Sequence, residues 1–169
     1  MIIRAAKKED ASLILSFIKE LAEFEKLSHE VVATVKDLER HLFGENPVAE
    51  VVIAEIEAGG KTNGKFSKKE GIAFALFFQN YSTFLGQPGI YLEDLFVRPP
   101  HRGKGVGEAM LRHIAQLAID RGCGRFEWSV LGWNTKAIEF YKRHKAIPMN
   151  EWTVFRLTGS ALKEMGAGA

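Results

Sequence analysis

Residues 90–118 constrain the fold more than any other stretch of the chain. An apolar run from Ile90 predicts a buried strand that ends near Val97, a glycine-rich loop follows, and a helical apolar repeat begins at Val106. The first N–H groups of a helix have no partner within it, and the helix dipole adds positive charge there. Glycines beside that end let an anionic group approach the backbone closely. The segment therefore predicts an anion site of the kind that binds phosphate.

The spacing of the glycines excludes two common phosphate motifs. A P-loop needs Ser or Thr after its Gly-Lys pair and a glycine upstream at a fixed distance, and this chain has no such arrangement. The dinucleotide fingerprint G-x-G-x-x-G fails because its last position falls on Glu108 or Met110. What remains is R-x-x-G-x-G, formed by Arg102, Gly105 and Gly107. On this segment alone, a glycine-rich turn that only connects a strand to a helix stays an open alternative.

Length and composition exclude several classes of protein. The chain has 169 residues, 46% of them hydrophobic, which suits one domain spanning 1–169 with a substantial core. A net charge of +2 does not favour a nucleic-acid binder, and no apolar run approaches the length of a membrane helix. We therefore expect a cytoplasmic protein with neither nucleic acid nor membrane as a partner. The single Cys123 and the scattered histidines show no metal-ligand spacing, so no metal is expected.

Helical and strand-like segments alternate along the rest of the chain. Strands are predicted at 2–6, 49–57, 71–79, 126–130 and 152–157, and helices from Asp10 to about Lys26, from Thr34 to Gly44 and from Asn134 through Tyr141. The glycines and lysines between Gly59 and Glu70 predict a long hairpin loop, Gly86 to Gly89 a turn, and the last residues a short tail. This order predicts an α/β fold with a mixed sheet.

Several motifs, in matching order, resemble one branch of the GNAT superfamily of N-acetyltransferases. The loop from Arg102 to Gly107 resembles the family's acyl-CoA pyrophosphate loop. The segment Tyr-Leu-Glu-Asp-Leu-Phe-Val at 91–97 is similar to the central strand of the diamine acetyltransferases, which include the spermidine/spermine and thialysine enzymes. The segment at 18–25 is similar to their first helix, and Trp-Asn-x-x-Ala-Ile-x-Phe-Tyr at 133–141 to a further motif. The resemblance implies the GNAT fold, a mixed, mostly antiparallel central sheet flanked by helices.

The resemblance also implies acetyl-CoA as cosubstrate and a set of site residues. Those that bind the cofactor are the strand backbone of Leu95, Phe96 and Val97, the pyrophosphate loop Arg102, Gly103, Lys104, Gly105, Val106, Gly107 and Glu108, and Asn134 with Tyr141. Tyr141 is implied as general acid and Glu93 as the carboxylate that takes the amine's proton, through water. Glu25, Glu93 and Asp94 are implied to bind the substrate. The family is typically dimeric, so a homodimer is implied.

Acetyl transfer to an amine needs groups of this chemistry. An alkylamine with a pKa of about 10.4 is mostly protonated at neutral pH, so a base must take its proton. Glu93 lies in an apolar strand, where desolvation is expected to raise its pKa. The phenol of Tyr141 can donate a proton to the departing thiolate. Each residue also has a plain structural interpretation: Glu93 as a loop anchor, Tyr141 as helix packing and Glu25 as a solvated helix carboxylate.

Two positions depart from the family pattern. Lys145 stands where a glycine usually follows the last helix, at a position expected to be left-handed. Gly132 replaces an acidic residue, which leaves the substrate preference open.

The sequence as a whole predicts direct attack by the primary amine of a small cationic substrate, polyamine-like or thialysine-like, on acetyl-CoA. A protein or peptide amine acetyltransferase and a catalytically silent acyl-CoA sensor are the alternatives, and the presence of Glu93 and Tyr141 argues against the sensor.

Overall fold

The computed structural model describes residues 1–62 and 65–168, which fall into two compact units, Met1–Ser129 and Val130–Ala169. The first unit contains β1 (Ile2–Ala5), α1 (Ala11–Glu25), α2 (Val35–Phe43), β2 (Glu50–Thr62), β3 (Lys65–Ser82), β4 (Gln87–Val97), α3 (Val106–Asp120) and β5 (Arg125–Trp128). The second contains α4 (Thr135–Arg143) and α5 (Gly159–Ala167). Among the described residues, no helix has the length and apolar character needed to cross a membrane.

The five strands form one mixed sheet in the first unit. Their order in the sheet is β1-β2-β3-β4-β5, so each strand lies beside its neighbour in the chain. The first four strands pair antiparallel, whereas β4 and β5 pair parallel. Parallel neighbours need a long crossover, and α3 supplies it. The expected mixed, mostly antiparallel sheet with flanking helices is confirmed.

The core of the first unit lies between the sheet and the first two helices. Phe17 of α1 stacks on Phe74 of β3, with ring centroids 5.2 Å apart, and both side chains are fully buried. Alternate residues on the strands face this layer. The intervening residues of the strands, which face the other side of the sheet, are buried as well, among them Ala73 and Ala75 of β3. The opposite face of the sheet is therefore also covered. On α3, Met110 and Ile114 are fully buried.

The predicted start of α2 and the predicted end of α4 are confirmed, whereas Asp10, which precedes α1, makes no side-chain cap bond to that helix. The hydroxyl of Thr34 accepts a hydrogen bond from the backbone N–H of Asp37 at 3.3 Å, and the carboxylate of Asp37 accepts from the N–H of Thr34 at 2.9 Å. This reciprocal capping box fixes the start of α2. At the end of α4, Lys145 has φ of 64°, the left-handed conformation expected for it. The N–H of Ala146 donates to the carbonyl of Tyr141 at 3.2 Å, which closes the helix despite the lysine.

Two expected loops are largely strand. The segment from Gly59 to Glu70 was expected to be a hairpin loop, but β2 runs to Thr62 and β3 begins at Lys65, while Gly64 lies outside the described residues. Glu57 lies directly opposite Lys69, a pair of opposite charges that favours the longer ladder. The turn expected at Gly86 to Gly89 was also misplaced, because β4 already begins at Gln87.

The strand expected at 152–157 is wrong. These residues are neither helix nor strand, and the tail after them forms α5. A strand needs a neighbour for its backbone N–H and C=O groups, and the described part of the second unit contains no other strand. Val130, expected at the end of β5, likewise lies beyond it, because β5 stops at Trp128.

Candidate active site

The parallel pairing of β4 and β5 ends after four residues, where β5 itself ends. The ladder runs from Gly89 opposite Arg125 to Leu92 opposite Trp128, and β4 then continues alone on that side to Val97. Its other edge stays paired with β3 as far as Val97. Within the described part of the chain, the edge of β4 from 93 to 97 that faced β5 has no ladder partner. This edge includes the predicted pantetheine-binding residues at 95–97, and a strand edge of this kind can pair with an extended, amide-bearing arm.

A β-bulge shapes β4 directly after the last residue that pairs with β5. Leu76 of β3 lies opposite Asp94, but the next residue, Phe77, lies opposite Leu92, so Glu93 is the additional residue. A bulge bends its strand and redirects the neighbouring side chains. Asp94 consequently shares the α1 side of the sheet with its partner Leu76, which packs against the core layer of α1 and α2.

Three carboxylates from α1 and β4 lie close enough to interact. Burial, together with the negative charges of Glu93 and Glu25, raises the pKa of Asp94 to about 6. Burial also raises the pKa of Glu25, the last residue of α1. The structure therefore brings together the three predicted substrate-binding residues, Glu25, Glu93 and Asp94.

The desolvated carboxylate is Asp94, whereas the sequence analysis expected Glu93. Glu93 is exposed and Asp94 is partly buried. The bulge accounts for the difference, because one additional residue exchanges the faces that neighbouring side chains occupy.

The glycine loop has the open backbone that a phosphate site requires. A short 3₁₀ turn at Pro99–His101 leads into it, and α3 begins directly after Gly105. Gly103 and Gly105 have φ of 72° and 78°, which favours glycine, and a Cβ on either would meet no atom within 4 Å. The N-cap residue of α3 is Gly105, which has no side chain to bind the first amides of the helix. The residues present thus fit a pyrophosphate group.

The side chain of Arg102 turns back from this loop towards β4 and α1. Its Nε donates to the carbonyl of Val97 at 2.8 Å. The guanidinium lies 4.6 Å from the ring centroid of Phe24 and 5.2 Å from that of Phe96. Burial lowers the pKa of the guanidinium. Arg102 therefore fixes the start of the loop, while Lys104 is an exposed cation within it.

Arg98 is a residue that the sequence analysis missed. It follows Val97 directly, and its guanidinium bonds Glu20 through Nε at 3.2 and 3.1 Å and through Nη2 at 2.7 Å. Nη1 donates to the carbonyl of Gly71 at 2.8 Å, and Nη2 also reaches the hydroxyl of Ser16 at 3.3 Å. These partners lie up to 82 residues away in the chain, so no local pattern could have indicated them.

The remaining predicted residues lie in the second unit. Asn134 caps α4, because its Oδ1 accepts from the backbone N–H of Ala137 at 3.3 Å. Tyr141 lies on the same helix, with its ring centroid 5.4 Å from that of Phe140. Burial raises the pKa of the Tyr141 phenol, so at neutral pH it holds a proton that it can donate.

Comparison with known proteins identifies the family. The model of the acetyltransferase (GNAT) family matches residues 19–145, which include the C-terminal part of α1, the bulged strand, the glycine loop and α4. This chain belongs to the GNAT family. It is an N-acetyltransferase, as the motifs predicted, and its relatives fall in the diamine branch. A thialysine N-epsilon-acetyltransferase of Sus scrofa is 40% identical over 98% of this acetyltransferase and 96% of that enzyme.

Other relatives agree with this placement. An L-ornithine N5-acetyltransferase of Arabidopsis thaliana is 33% identical over 95% of this acetyltransferase and 86% of its own length. Among solved structures, an integron cassette protein of V. cholerae has a TM-score of 0.74 at 24% identity and covers 98% of this chain and 96% of its own. That likeness shows the GNAT fold alone.

Proposed function

We propose that the protein transfers the acetyl group of acetyl-CoA to the primary amine of a small cationic molecule of the polyamine or thialysine class. The observation that carries the proposal is that Glu25, Glu93 and Asp94 meet just beyond the point where the pairing of β4 with β5 ends. Carboxylates held partly out of water attract a cationic amine more strongly than exposed ones. The names of the relatives support this class, since thialysine and L-ornithine are both small molecules with a primary amine.

The open backbone of the loop and of β4 supports acetyl-CoA as the donor. In the proposal, the amides at the start of α3 and the cation of Lys104 hold the pyrophosphate. The edge of β4 at 95–97, which has no ladder partner among the described residues, receives the pantetheine arm as an additional strand would, through backbone groups other than the carbonyl of Val97, which accepts from Arg102. Asn134 also binds the cofactor in this proposal, a role that its motif implies in addition to the cap it provides for α4.

The proposed reaction is a direct attack. The neutral amine nitrogen forms a bond to the thioester carbonyl carbon, and the carbon–sulfur bond breaks to release the CoA thiolate. Glu93, which is exposed at the bulge, takes the amine's proton through water, while Asp94 and Glu25 hold the cationic substrate. Tyr141 donates its proton to the sulfur; its motif and its raised pKa support this role.

We further propose that both units act as one domain in a cytoplasmic homodimer. The family match extends across residues of both units, which supports a single functional domain. Eight large apolar side chains of the second unit, between Ile147 and Met165, are 49% to 93% exposed. At roughly 100 Å² for each side chain, two copies would bury about 1,600 Å², the standard size of a stable interface. A second copy of this chain is the occupant that we propose for this surface.

A panel assay tests the proposal. Release of free CoA thiol from acetyl-CoA is measured with polyamines, lysine analogues, amino sugars and peptides as acceptors. We expect kcat/KM to be highest for a polyamine or a lysine analogue. A peptide as the preferred acceptor would favour the protein acetyltransferase, and acetyl-CoA binding without turnover on any acceptor would favour the sensor.

A further inference from the structure

We infer that Arg98 is a positioning residue that holds the C-terminal part of α1 against β4, so that Glu25 and Asp94 stay together in the amine site. The inference rests on the proposed function, because it gives the three carboxylates their role as the binding site for a cationic substrate. Arg98 itself touches neither the substrate nor the cofactor in this proposal.

The contacts of Arg98 join three separate elements through one side chain. Its fork binds Glu20 of α1 through two nitrogens, and its other terminal nitrogen binds the carbonyl of Gly71 in β3. The guanidinium also lies 4.6 Å from the ring centroid of Phe17, a fully buried residue of α1. The backbone N–H of Arg98 extends the β4 ladder to the carbonyl of Ile72 at 2.9 Å. An arginine fork used in this way fixes orientation as well as distance.

The spacing along the two elements places this contact close to the carboxylates. Glu25 lies five residues beyond Glu20, about 7.5 Å along a helix axis. Asp94 lies four residues before Arg98, about 13 Å along a strand. Because Glu20 meets Arg98 and Glu25 acts on Asp94, α1 and β4 run in opposite directions and interact at two points.

The two points of contact have opposite electrostatic character. Arg98 and Glu20 attract each other, with side chains only 23% and 33% exposed. The charged groups that act on Asp94 are Glu93 on its own strand and Glu25 on α1, and both repel it. Repulsion between these carboxylates pushes the end of α1 away from β4, and the attraction at Arg98 opposes that movement. The ion pair of Arg98 and Glu20 therefore keeps the carboxylates of the amine site together, although it lies outside that site.

The first test follows Asp94 directly. Its carboxyl is titrated by NMR in the free, full-length protein and in the Arg98→Met and Arg98→Lys variants. If α1 moves outward, both the burial and the repulsion from Glu25 decrease, so the pKa of Asp94 falls from about 6 towards its ordinary value of 3.8 in Arg98→Met. Arg98→Lys keeps the charge but loses the fork, and we expect a smaller fall. Loss of a distant cation without movement would instead raise the pKa, so an unchanged or raised value overturns the inference.

Arg4→Met is the matched control. Arg4 binds Asp10 and Glu55 and is 27% exposed, which makes it comparable to Arg98, but it joins β1 to β2 and to the turn before α1. We expect Arg4→Met to lower the melting temperature as Arg98→Met does and to leave the titration of Asp94 unchanged. An equal fall in the pKa of Asp94 in both variants would reduce Arg98 to a general stabilising residue. Should Arg98→Met fail to fold, Arg98→Lys carries the test.

The second test uses kinetics. Arg98→Met should raise the KM for the amine about tenfold and change the KM for acetyl-CoA by no more than about twofold. A parallel rise in both constants contradicts a role confined to the amine side. If the parent protein shows no turnover with any amine, the proposed function fails, while the titration of Asp94 still decides whether Arg98 positions α1.

Discussion

At the scale of single residues, Asp94 is held where ionisation is costly. Its pKa is raised from 3.8 to about 6. Between pH 3.8 and about pH 6, Asp94 therefore keeps its proton in the native state but has lost it in the unfolded chain. The stability that comes from this proton is present below pH 3.8 and is lost as the pH rises to about 6. At neutral pH the protein therefore maintains a carboxylate that opposes folding, which is expected of a residue retained for function.

Replacing this carboxylate should increase stability and reduce activity. The full difference in pKa corresponds to about 3 kcal/mol in the free energy of unfolding. Because Asp94 keeps some contact with solvent, we expect Asp94→Asn to raise that free energy by about 1 kcal/mol at pH 7.5. The gain should disappear below pH 3.8, and kcat/KM for the amine should fall. Urea unfolding at several pH values checks the first point, with Asp120→Asn on the exposed end of α3 as a neutral control. A variant that is less stable at pH 7.5 would contradict the cost assigned to Asp94.

Tyr141 permits a separate test of the acid. Tyr141→Phe removes one oxygen and keeps the ring beside Phe140, so packing should change little. We expect kcat to fall about 100-fold, at the lower end for general acid catalysis, because a thiolate is already a fair leaving group. The KM for acetyl-CoA should stay constant, since the proton matters only as charge develops on sulfur. A raised KM at constant kcat would make Tyr141 a binding or packing residue.

At the scale of elements, the start of α3 is the feature that fits a phosphate. Gly105→Glu adds a negative charge and a side chain at φ of 78° where the surroundings are otherwise open. Gly86→Glu is its matched control, because Gly86 has φ of 64°, is equally open and lies in the turn between β3 and β4. Both changes should cost similar backbone strain, about 1–2 kcal/mol.

Only the change at α3 should abolish binding of acetyl-CoA. Saturating acetyl-CoA stabilises the native state by about 2.7 kcal/mol at a hundred times its dissociation constant. We therefore expect the melting temperature of the parent protein and of Gly86→Glu to rise with acetyl-CoA, and that of Gly105→Glu to stay constant. Equal responses in the two variants would place the phosphate elsewhere.

The sequence predicted those elements whose determinants are local. The capping box at Thr34 and Asp37 and the left-handed Lys145 each depend on a few adjacent residues. The bulge at Glu93 depends on the register of β3, so the sequence analysis chose the wrong carboxylate as the desolvated one. The contacts of Arg98 also depend on how distant segments pack together, so no local pattern indicated them. Alternation at 152–157 suggested a strand, but a strand also needs a neighbour.

At the scale of the whole molecule, the exposed apolar surface of the second unit predicts self-association. Phe155 is 93% exposed, so Phe155→Asp should not disturb folding within a chain. We expect the parent protein to sediment at twice 18.9 kDa and Phe155→Asp to shift towards the single mass. Phe84→Asp, at a residue 92% exposed in the first unit, should leave the dimer intact. A parent protein that sediments at 18.9 kDa rules out the proposed homodimer.

The coincidence of strand order in the sheet with strand order in the chain has a consequence for biosynthesis. The strands β3 and β4 each pair with the strand made just before them, and β2 pairs with β1 once α1 and α2 have been made, so the antiparallel part can pair while the rest is still being translated. Such sequential pairing keeps the loop-closure cost low. The strand β5 pairs last, after α3 has been made. The side of β4 that the cofactor is proposed to use is therefore the last edge of the sheet to acquire a neighbour as the protein is made.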